Sequence, residues 1–208
     1  PLYHVSGQGI VWRWLYAGAT LILPKEDFYQ SIGEVSHVSL VPTQLQRWFD
    51  YLVEHPQSIH TQAVLLGGTQ IPVKLTQALN ELGIRSYSGY GMTEMASTAF
   101  AKQSDGKIGV GQPLLGREFK LVNEEVWLKG AGLAMGYWRD ERIEPLTNHE
   151  GWFQTKDKGQ WLDDELVIQG RLDNMFISGG ENIQPEEIEK VIAQSDLVKQ
   201  VFVLPKHD

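Results

Sequence analysis

The stretch SYSGYGMTEMAS at residues 86–97 concentrates side chains that could contact a ligand. It offers an aromatic ring at Tyr90, a hydroxyl group at Thr93 and a carboxylate at Glu94. The glycines on either side of the ring let the backbone approach a bound group closely, because glycine lacks a Cβ atom. An ordinary turn requires only a glycine and one or two polar residues. The stretch therefore predicts a binding site, whose ligand the remaining motifs must identify.

The first hundred residues alternate strand and helix patterns, which favours a parallel sheet with helices on its faces. Ligands of such sheets bind at the carboxyl ends of the strands, and the glycine-rich turns after AVLL and IRSYS fall at these ends. These two turns are therefore predicted to share one site. Thr43 is the expected N-cap of a helix, and Pro72 suits a first helical turn. The predicted elements are helices over 9–18, 43–55 and 71–83, and strands over 19–24, 37–42, 63–68 and 84–88.

From about residue 105 the pattern changes to short β-type runs separated by turn residues, which is typical of an antiparallel, barrel-like module. Examples are EEVWLKG and GQWLDDELVIQG. A helix is predicted over 184–196, with Pro185 in its first turn, and a strand over 197–205. The predicted fold class is therefore α/β with a β-rich part.

Composition and charge exclude several function classes. The chain has 208 residues, with 26 acidic residues against 18 lysines and arginines and a formal net charge of −8. A field of this sign repels phosphate backbones, so nucleic acid is not an expected partner. The longest apolar stretch, residues 9–24, carries Arg13 and is too short for a membrane span. The absence of cysteine excludes disulfides and thiolate metal sites and suits a cytoplasmic location.

Motifs of several familiar enzyme classes are missing from the sequence. It contains no G-x-G-x-x-G, no G-x-x-x-x-G-K-[ST], no G-x-S-x-G and no H-E-x-x-H. Its six histidines lack metal-ligand spacing. A dinucleotide dehydrogenase, a P-loop nucleotide hydrolase, an α/β-hydrolase and a zinc hydrolase are therefore disfavoured.

Six motifs follow one another in an order that is more specific than any single one of them. In this order they resemble the adenylate-forming superfamily, which includes acyl- and aryl-CoA ligases, luciferases and peptide-synthetase adenylation domains. The resemblance covers essentially the whole chain and is closest to the bacterial 2-succinylbenzoate–CoA ligases of menaquinone biosynthesis. The motifs are LYHVSG (2–7), LLGGTQIP (65–72), YGMTE (90–94), VWLKGAGLAMGYW (126–138), GWFQTKD (151–157) and GRLDNMFISGGENIQPEEIE (170–189).

The resemblance implies an enzyme that works in two steps. A carboxylic acid and ATP, with Mg²⁺, form an acyl-adenylate and pyrophosphate, and coenzyme A then takes the acyl group as a thioester. The implied partners are small molecules, namely the acid, ATP and coenzyme A. Two alternatives stay open: an aryl- or fatty-acyl-CoA ligase or peptide-synthetase adenylation domain of other specificity, and a non-catalytic nucleotide-binding module.

The resemblance also implies which residues contact the adenine and the phosphates. Tyr90 would stack on adenine, and the backbone of residues 67–69 would form the opposite wall. Thr93 would contact the α-phosphate and Glu94 would help to hold Mg²⁺. On the residues alone, Gly67 and Gly68 could simply turn a strand into a helix, and Glu94 could be a solvated acid at a helix start. The residues implied for ATP or AMP are Gly67, Gly68, Thr69, Tyr90, Gly91, Met92, Thr93, Asp157 and Arg171.

Asp157 and Arg171 are the residues implied for the ribose. Asp157 would accept both hydroxyl groups, with Arg171 beside them. Read without the resemblance, both are ordinary surface charges, and DKG is a plain turn. The superfamily usually has glycine where this chain has Lys156, which puts the local turn geometry in question.

The acyl pocket is assigned to His4, Arg13, Ser88 and Gly89, and His4 joins Thr93 and Glu94 as a candidate catalytic residue. Arg13 lies between two tryptophans in an apolar stretch, where a guanidinium group is costly unless it binds an anion. The second carboxylate of succinylbenzoate would supply that anion. The alternative is that Arg13 reaches solvent or pairs with an acid of the protein.

The resemblance further implies a division into an α/β subdomain (1–104), a β-rich subdomain (105–172) and the start of a small mobile domain (173–208). Asp173 would be the hinge between the large and the small domain, and SGGEN (178–182) a loop that the small domain presents to the site. The superfamily's phosphate loop and catalytic lysine are not found, and Lys206 is not positioned like that lysine. The chain is therefore expected to be a fragment that binds nucleotide poorly. Homo-oligomer formation is left open.

Overall fold

The computed structural model describes residues 2–24, 26–178, 181–195, 197–198 and 201–205. Within them the chain forms mixed α/β structure, as predicted. Its contacts divide it into two compact units, one of residues 1–117 and 130–134, the other of residues 118–129 and 135–208. The finer division at residues 104 and 172 stays a prediction.

The first unit is built on a mixed sheet of five strands in the order β1-β2-β3-β4-β5. The first three strands are parallel, as the alternation with helices predicted, whereas β4 and β5 add antiparallel pairs. The strands are β1 (His37–Leu40), β2 (Ala63–Leu66), β3 (Arg85–Met92), β4 (Ser97–Gln103) and β5 (Gln112–Pro113).

The described residues of this unit form four helices, of which the last three contribute apolar residues to its core. Leu45, Trp48 and Leu79 are completely buried there together with Leu66 of the sheet. The spacing of Leu45, Trp48 and Leu52 placed one helical face toward the sheet, which is why the sequence predicted that helix to within one residue. The helices are α1 (Val5–Ala17), α2 (Phe28–Glu34), α3 (Pro42–Glu54) and α4 (Val73–Glu81).

Helix starts differ in detail from the prediction. The N-cap of α3 is Val41 and not Thr43, because Pro42 occupies the first helical position and has no N–H group to satisfy. The side chain of Gln44 instead accepts a hydrogen bond from the Val41 N–H at 3.0 Å. Pro72 is the N-cap of α4 and precedes its first turn.

Two local predictions in the first unit are wrong. Residues 19–24 form no strand; Ile22 and Leu23 are 49% and 63% exposed, and no neighbouring strand pairs with this apolar run. The glycine-rich turn predicted after residue 88 is instead the second half of β3, which continues to Met92 because β4 pairs with it. Pairing with the next strand overrode the local glycine signal.

The second unit is β-rich, as predicted, and its main sheet has four strands in the order β11-β10-β7-β6. Two-residue turns close three hairpins, and each turn has both residues at positive φ, the geometry of type I′ turns. These turns are Asn123-Glu124, Asp140-Glu141 and Asp163-Asp164. The strands are β6 (Arg117–Val122), β7 (Glu125–Gly130), β8 (Gly136–Arg139), β9 (Arg142–Pro145), β10 (Phe153–Leu162), β11 (Glu165–Arg171), β12 (Phe176–Ser178) and β13 (Glu181–Ile183).

Helix α5 (Pro185–Ile192) follows these strands and is shorter than the predicted helix over 184–196. The strand predicted over 197–205 is wrong for residues 197–198 and 201–205, and residues 199–200 lie outside the described residues. The N–H group of Val203 donates to Glu189 Oε1 of α5 at 2.8 Å, so a helix side chain takes the place of a strand partner. None of the helices in the described ranges is long and apolar enough to cross a membrane.

Candidate functional site

Strand β3 holds Tyr90 and Gly91 at an irregularity in its pairing with β4. Tyr90 pairs with Phe100 and Gly91 with Thr98, so the register skips Ala99 of β4. A Cβ atom at Gly91 would lie 1.9 Å from the Ser97 carbonyl oxygen. Glycine is therefore required here for its lack of a side chain. The Tyr90 ring is partly exposed and packs on the Phe100 ring with a centroid separation of 6.0 Å.

The glycines after β2 lie against β3. A Cβ atom on Gly67 would lie 3.3 Å from the Gly89 carbonyl oxygen, and Gly68 has a φ of +87°. Thr69 follows on the exposed surface, where its hydroxyl group is 3.5 Å from the Gln70 carbonyl oxygen. The structure thus brings together residues 67–68 and Gly89, which the sequence assigned to adenine and acyl binding.

The Thr93–Met95 segment is a single 3₁₀ turn at the end of β3. Met95 is completely buried and anchors the turn, whereas Thr93 is exposed and Glu94 is partly exposed. The Glu94 carbonyl oxygen accepts a hydrogen bond from the Ala134 N–H at 2.8 Å. The turn therefore adjoins the end of the GAGLA segment, which belongs to another of the six motifs.

Helix α1 carries the two candidate acyl-site residues of the first motif. His4 is its N-cap, with Nδ1 accepting from the Ser6 N–H at 3.3 Å. The exposed Arg13 turns back along the helix, where its Nε donates to the Gly9 carbonyl oxygen at 3.0 Å. Gly9 packs against Ser97 of β4, so the guanidinium group lies near the start of that strand. Among the described residues no carboxylate forms an ion pair with Arg13.

Ser88 is placed differently from the prediction of a ligand-facing hydroxyl group. It is buried in β3, and its Oγ lies 2.9 Å from Ser104 Oγ. Gly89 beside it is buried too, between Leu65 and Thr98. Ser88 already has a hydrogen-bonding partner within the protein.

In the second unit, Asp157 and Arg171 face each other across β10 and β11. Asp157 is only 8% exposed, and its Oδ1 accepts from Arg171 Nη1 at 3.3 Å. Arg171 also forms a two-point contact with Asp173, through Nε at 2.8 Å and Nη2 at 2.7 Å. Arg171 thus links the residue predicted for the ribose to the residue predicted for the hinge.

Lys156 has a φ of +64°, in the left-handed region that favours glycine. The left-handed backbone conformation that glycine would adopt easily is therefore present here at a lysine. Glu125 of β7 supports it, because its Oε1 accepts from the Lys156 N–H at 3.0 Å. Glu125 was not predicted as a functional residue, because its partner is 31 residues away and no motif spacing links the two.

The predicted hinge lies in a second 3₁₀ turn, Leu172–Asn174. The hydrogen bond from Arg171 lowers the pKa of Asp173. Burial alone would raise the pKa of Glu186, but hydrogen bonds from Asn174 and Gln184 outweigh it, and the pKa is lowered. In the predicted loop 178–182, residues 179–180 lie outside the described residues. Ser178, the last residue of β12, pairs with Glu181, the first residue of β13. Lys206 also lies outside the described residues.

A search of family models matches residues 1–138 to the family described as AMP-binding enzyme. The matched segment is well over half of the chain and contains the β3 site. The chain belongs to the AMP-binding enzyme family. Four of the six motifs, from LYHVSG to VWLKGAGLAMGYW, lie within the matched residues.

Relatives within the family are similar over almost the whole chain. A 2-succinylbenzoate–CoA ligase of Haemophilus influenzae is 70% identical over 207 residues, which are 99% of this chain and 46% of the relative. A solved Escherichia coli MenE variant with bound OSB-AMS is 53% identical, with a TM-score of 0.92 over 100% of this chain and 46% of that one. The Bacillus subtilis O-succinylbenzoate coenzyme A synthetase in complex with ATP and magnesium ion is 28% identical. Its TM-score is 0.83 over 100% of this chain and 48% of that one.

The chain thus spans about half the length of these relatives. Within the described residues no group of three or more His, Asp or Glu side chains could by itself hold a metal ion. Glu94, partly exposed and held on a short turn, is a carboxylate of the type that Mg²⁺ takes as one ligand beside phosphate and water.

Proposed function

We propose that the whole polypeptide that contains this chain ligates 2-succinylbenzoate to coenzyme A through an acyl-adenylate, a step of menaquinone biosynthesis. The observation that carries the proposal is the likeness of nearly the entire chain to the Haemophilus influenzae ligase. The reaction is an acid–thiol ligation with ATP as co-substrate. This chain supplies part of the nucleotide site and part of the acyl site.

In the first step a carboxylate oxygen of the acid attacks the α-phosphorus of ATP, and the bond to the β-phosphate oxygen breaks to release pyrophosphate. Tyr90 offers its partly exposed ring to adenine, beside the backbone of residues 67–68. The Thr93 hydroxyl group donates to the α-phosphate oxygens, where negative charge develops. Mg²⁺, held in part by Glu94, neutralises charge on the phosphates when it is bound.

Asp157 binds the ribose in this proposal. A carboxylate with two oxygens can accept hydrogen bonds from two neighbouring hydroxyl groups at once. Its pairing with Arg171 fixes its direction. In the second step the coenzyme A thiolate attacks the acyl carbon, the thioester forms and AMP leaves with the electron pair of the broken bond.

Arg13 recognises the second carboxylate of the acid. The support is that its guanidinium group has no carboxylate partner among the described residues, while an arginine in an aromatic-rich helix favours an anion. His4 and Gly89 stay candidates for the same pocket. Ser88 is a weaker candidate, because it is buried and bonded to Ser104.

Pyrophosphate release by the full-length polypeptide, measured with a panel of carboxylic acids, tests the proposal. We expect succinylbenzoate to stimulate release far more than benzoate or a fatty acid does. Arg13→Ala should raise KM for succinylbenzoate much more than KM for ATP. Equal losses for both substrates would remove Arg13 from the acyl site, and stimulation by another acid alone would replace the proposed substrate.

Three further points stay predictions. Asp173 is proposed as the hinge about which a small domain moves between the two steps, so the Arg171–Asp173 contact would be a fixed point of that hinge. A cytoplasmic location suits a reaction that consumes ATP and coenzyme A. Homo-oligomer formation is a separate question that size measurements in solution would answer.

A further inference from the structure

We infer that Glu125 is a positioning residue that holds the backbone on which Asp157 is presented. The inference rests on the proposed role of Asp157 in nucleotide binding. Glu125 has no assigned part in that role, and it lies on a different strand from Asp157. It nevertheless contacts Lys156, the residue that precedes Asp157 in β10.

Strand β10 bulges away from β7 at these residues. Gln154 pairs with Trp127 and Lys158 pairs with Glu125, so three residues of β10 stand opposite the single residue Val126. On its other side β10 pairs Asp157 with Arg171 and Lys158 with Gly170 of β11, and the register there shifts only after Lys158. Bulges of this kind redirect a side chain, and they are frequent beside active sites.

The bulge needs a residue at positive φ, and that residue is Lys156. A lysine adopts this conformation only at a cost that glycine would not incur. The Glu125 carboxylate offsets the cost twice with the same oxygen. Oε1 accepts from the Lys156 N–H at 3.0 Å and lies 3.3 Å from Lys156 Nζ.

The other contacts of the bulge fix Glu125 and Asp157 in place. Glu125 is 9% exposed, and its Oε2 accepts from Trp127 Nε1 at 3.0 Å, so both carboxylate oxygens have partners. Thr155 donates its hydroxyl hydrogen to the Val126 carbonyl oxygen at 2.7 Å and accepts from the Asp157 N–H at 3.0 Å. Removal of Glu125 would therefore release Lys156 and, through it, the neighbouring Asp157.

A purely structural role for Glu125 is the competing explanation, in which the residue only satisfies the Trp127 indole. The two explanations differ in what should rescue a variant. If Glu125 acts on the Lys156 backbone, glycine at position 156 removes the need for it. If Glu125 acts only on Trp127, glycine at position 156 changes nothing.

Amide hydrogen exchange in the 208-residue chain, followed by nuclear magnetic resonance, tests this without any ligand. We expect Glu125→Ala to speed exchange of the Asp157 N–H by about tenfold or more, and Lys156→Gly in the same chain to restore protection. Glu124→Ala, which removes the neighbouring exposed acid, is the control and should leave exchange at Asp157 unchanged. Unchanged exchange in Glu125→Ala, or no rescue by Lys156→Gly, would overturn the inference.

Titration with AMP of the same substitutions, made in the full-length polypeptide that contains this chain, connects the backbone to binding. The dissociation constant should rise by about tenfold in Glu125→Ala and return toward the original value in the double variant. Faster exchange at Asp157 with unchanged AMP affinity would show that Glu125 does not act on binding. If the full-length polypeptide without substitutions shows no AMP-dependent shift at Asp157, the proposed role of Asp157 fails while the exchange result still decides what Glu125 does. If Glu125→Ala does not fold, Glu125→Gln with and without Lys156→Gly replaces it in both measurements.

Discussion

The two regions that carry the predicted nucleotide residues solve the same backbone problem by different means. At Gly91 of β3, the pairing with β4 skips a residue and leaves no room for a side chain. At Lys156 of β10, the pairing with β7 skips two residues and requires a positive φ, yet a large side chain is present. The region at Gly91 depends on the absence of a Cβ atom, whereas the region at Lys156 depends on a backbone conformation that the buried carboxylate of Glu125 supports.

This difference teaches that a glycine in a motif can serve two separable needs. Where the neighbouring backbone occupies the space of the Cβ atom, no other residue can replace it. Where only the φ angle matters, another residue can stand there if the fold supplies hydrogen bonds to hold it. Four measurements on variants test this comparison.

The largest effect is expected at Gly91. Gly91→Ala places a Cβ atom 1.9 Å from the Ser97 carbonyl oxygen, so β3 and β4 must separate locally. We expect a loss of about 3 kcal/mol or more in the free energy of unfolding, measured with urea. Gly106→Ala is the control, because Gly106 has open space around it and only its positive φ (+83°) opposes a side chain. It should lose only about 1 kcal/mol, and equal losses would refute the steric explanation for Gly91.

A smaller effect is expected on binding when Asp157 is changed. Asp157→Ala removes a carboxylate that would bond to the ribose, while Arg171 keeps its contact with Asp173. AMP affinity should fall by about 10- to 100-fold, as is usual for hydrogen bonds to a charged group. Calorimetric titration measures it, with Asp50→Ala, an exposed aspartate on α3, as the matched control. An unchanged dissociation constant in Asp157→Ala would remove this residue from the site.

A still smaller difference separates two substitutions of Lys156. Both remove the exposed ion pair with Glu125, but only glycine relieves the positive φ. Lys156→Gly should therefore be more stable than Lys156→Ala by about 1 kcal/mol in urea unfolding. Equal stability of the two variants would mean that the backbone at this position carries no cost, and the contrast with Gly91 would disappear.

The smallest effect concerns acid titration at the proposed hinge. The pKa of Asp173 is lowered from its ordinary value of 3.8 by Arg171, so the contact stabilises the fold at neutral pH. That contribution is lost as the pH falls below about 4 and through the lowered pKa. Carbon-detected titration should show the Asp173 midpoint rising to its ordinary value in Arg171→Ala. The lowered pKa of Asp27, set by N–H groups of α2, should not move. A fixed Asp173 midpoint would contradict the pairing.

Local patterns predicted the elements that bury a regular apolar face. Helix α3 was found to within one residue because the spacing of Leu45, Trp48 and Leu52 is helical and two of these residues end in the core. The apolar run at residues 19–24 has no such periodicity and turned out to be exposed at Ile22 and Leu23. An apolar run alone does not specify a strand, because a strand also needs a neighbour to pair with.

The candidate site was predictable where sequence motifs contain its residues. It was not predictable where the pairing between strands sets its geometry. The motifs predicted Tyr90, Thr93 and Glu94 as site residues. They also predicted a turn where β3 continues, because the pairing of β3 with β4 could not be inferred from the motif. The motifs predicted Asp157 too and contained Lys156, but they missed Glu125, whose role exists only because β7 and β10 pair out of step. Register between strands is a long-range property that spacing within one motif does not contain.

The proposed function requires that residues at the end of β3 and the Asp157–Arg171 pair bind one and the same AMP molecule. Titration of the isotope-labelled full-length polypeptide with AMP, followed at the backbone amides of this chain, tests that requirement. The amides of Gly91 and Thr93 should shift together with those of Asp157 and Arg171, and all four should saturate with one dissociation constant. Shifts confined to one of the two groups, or two different dissociation constants, would contradict the claim.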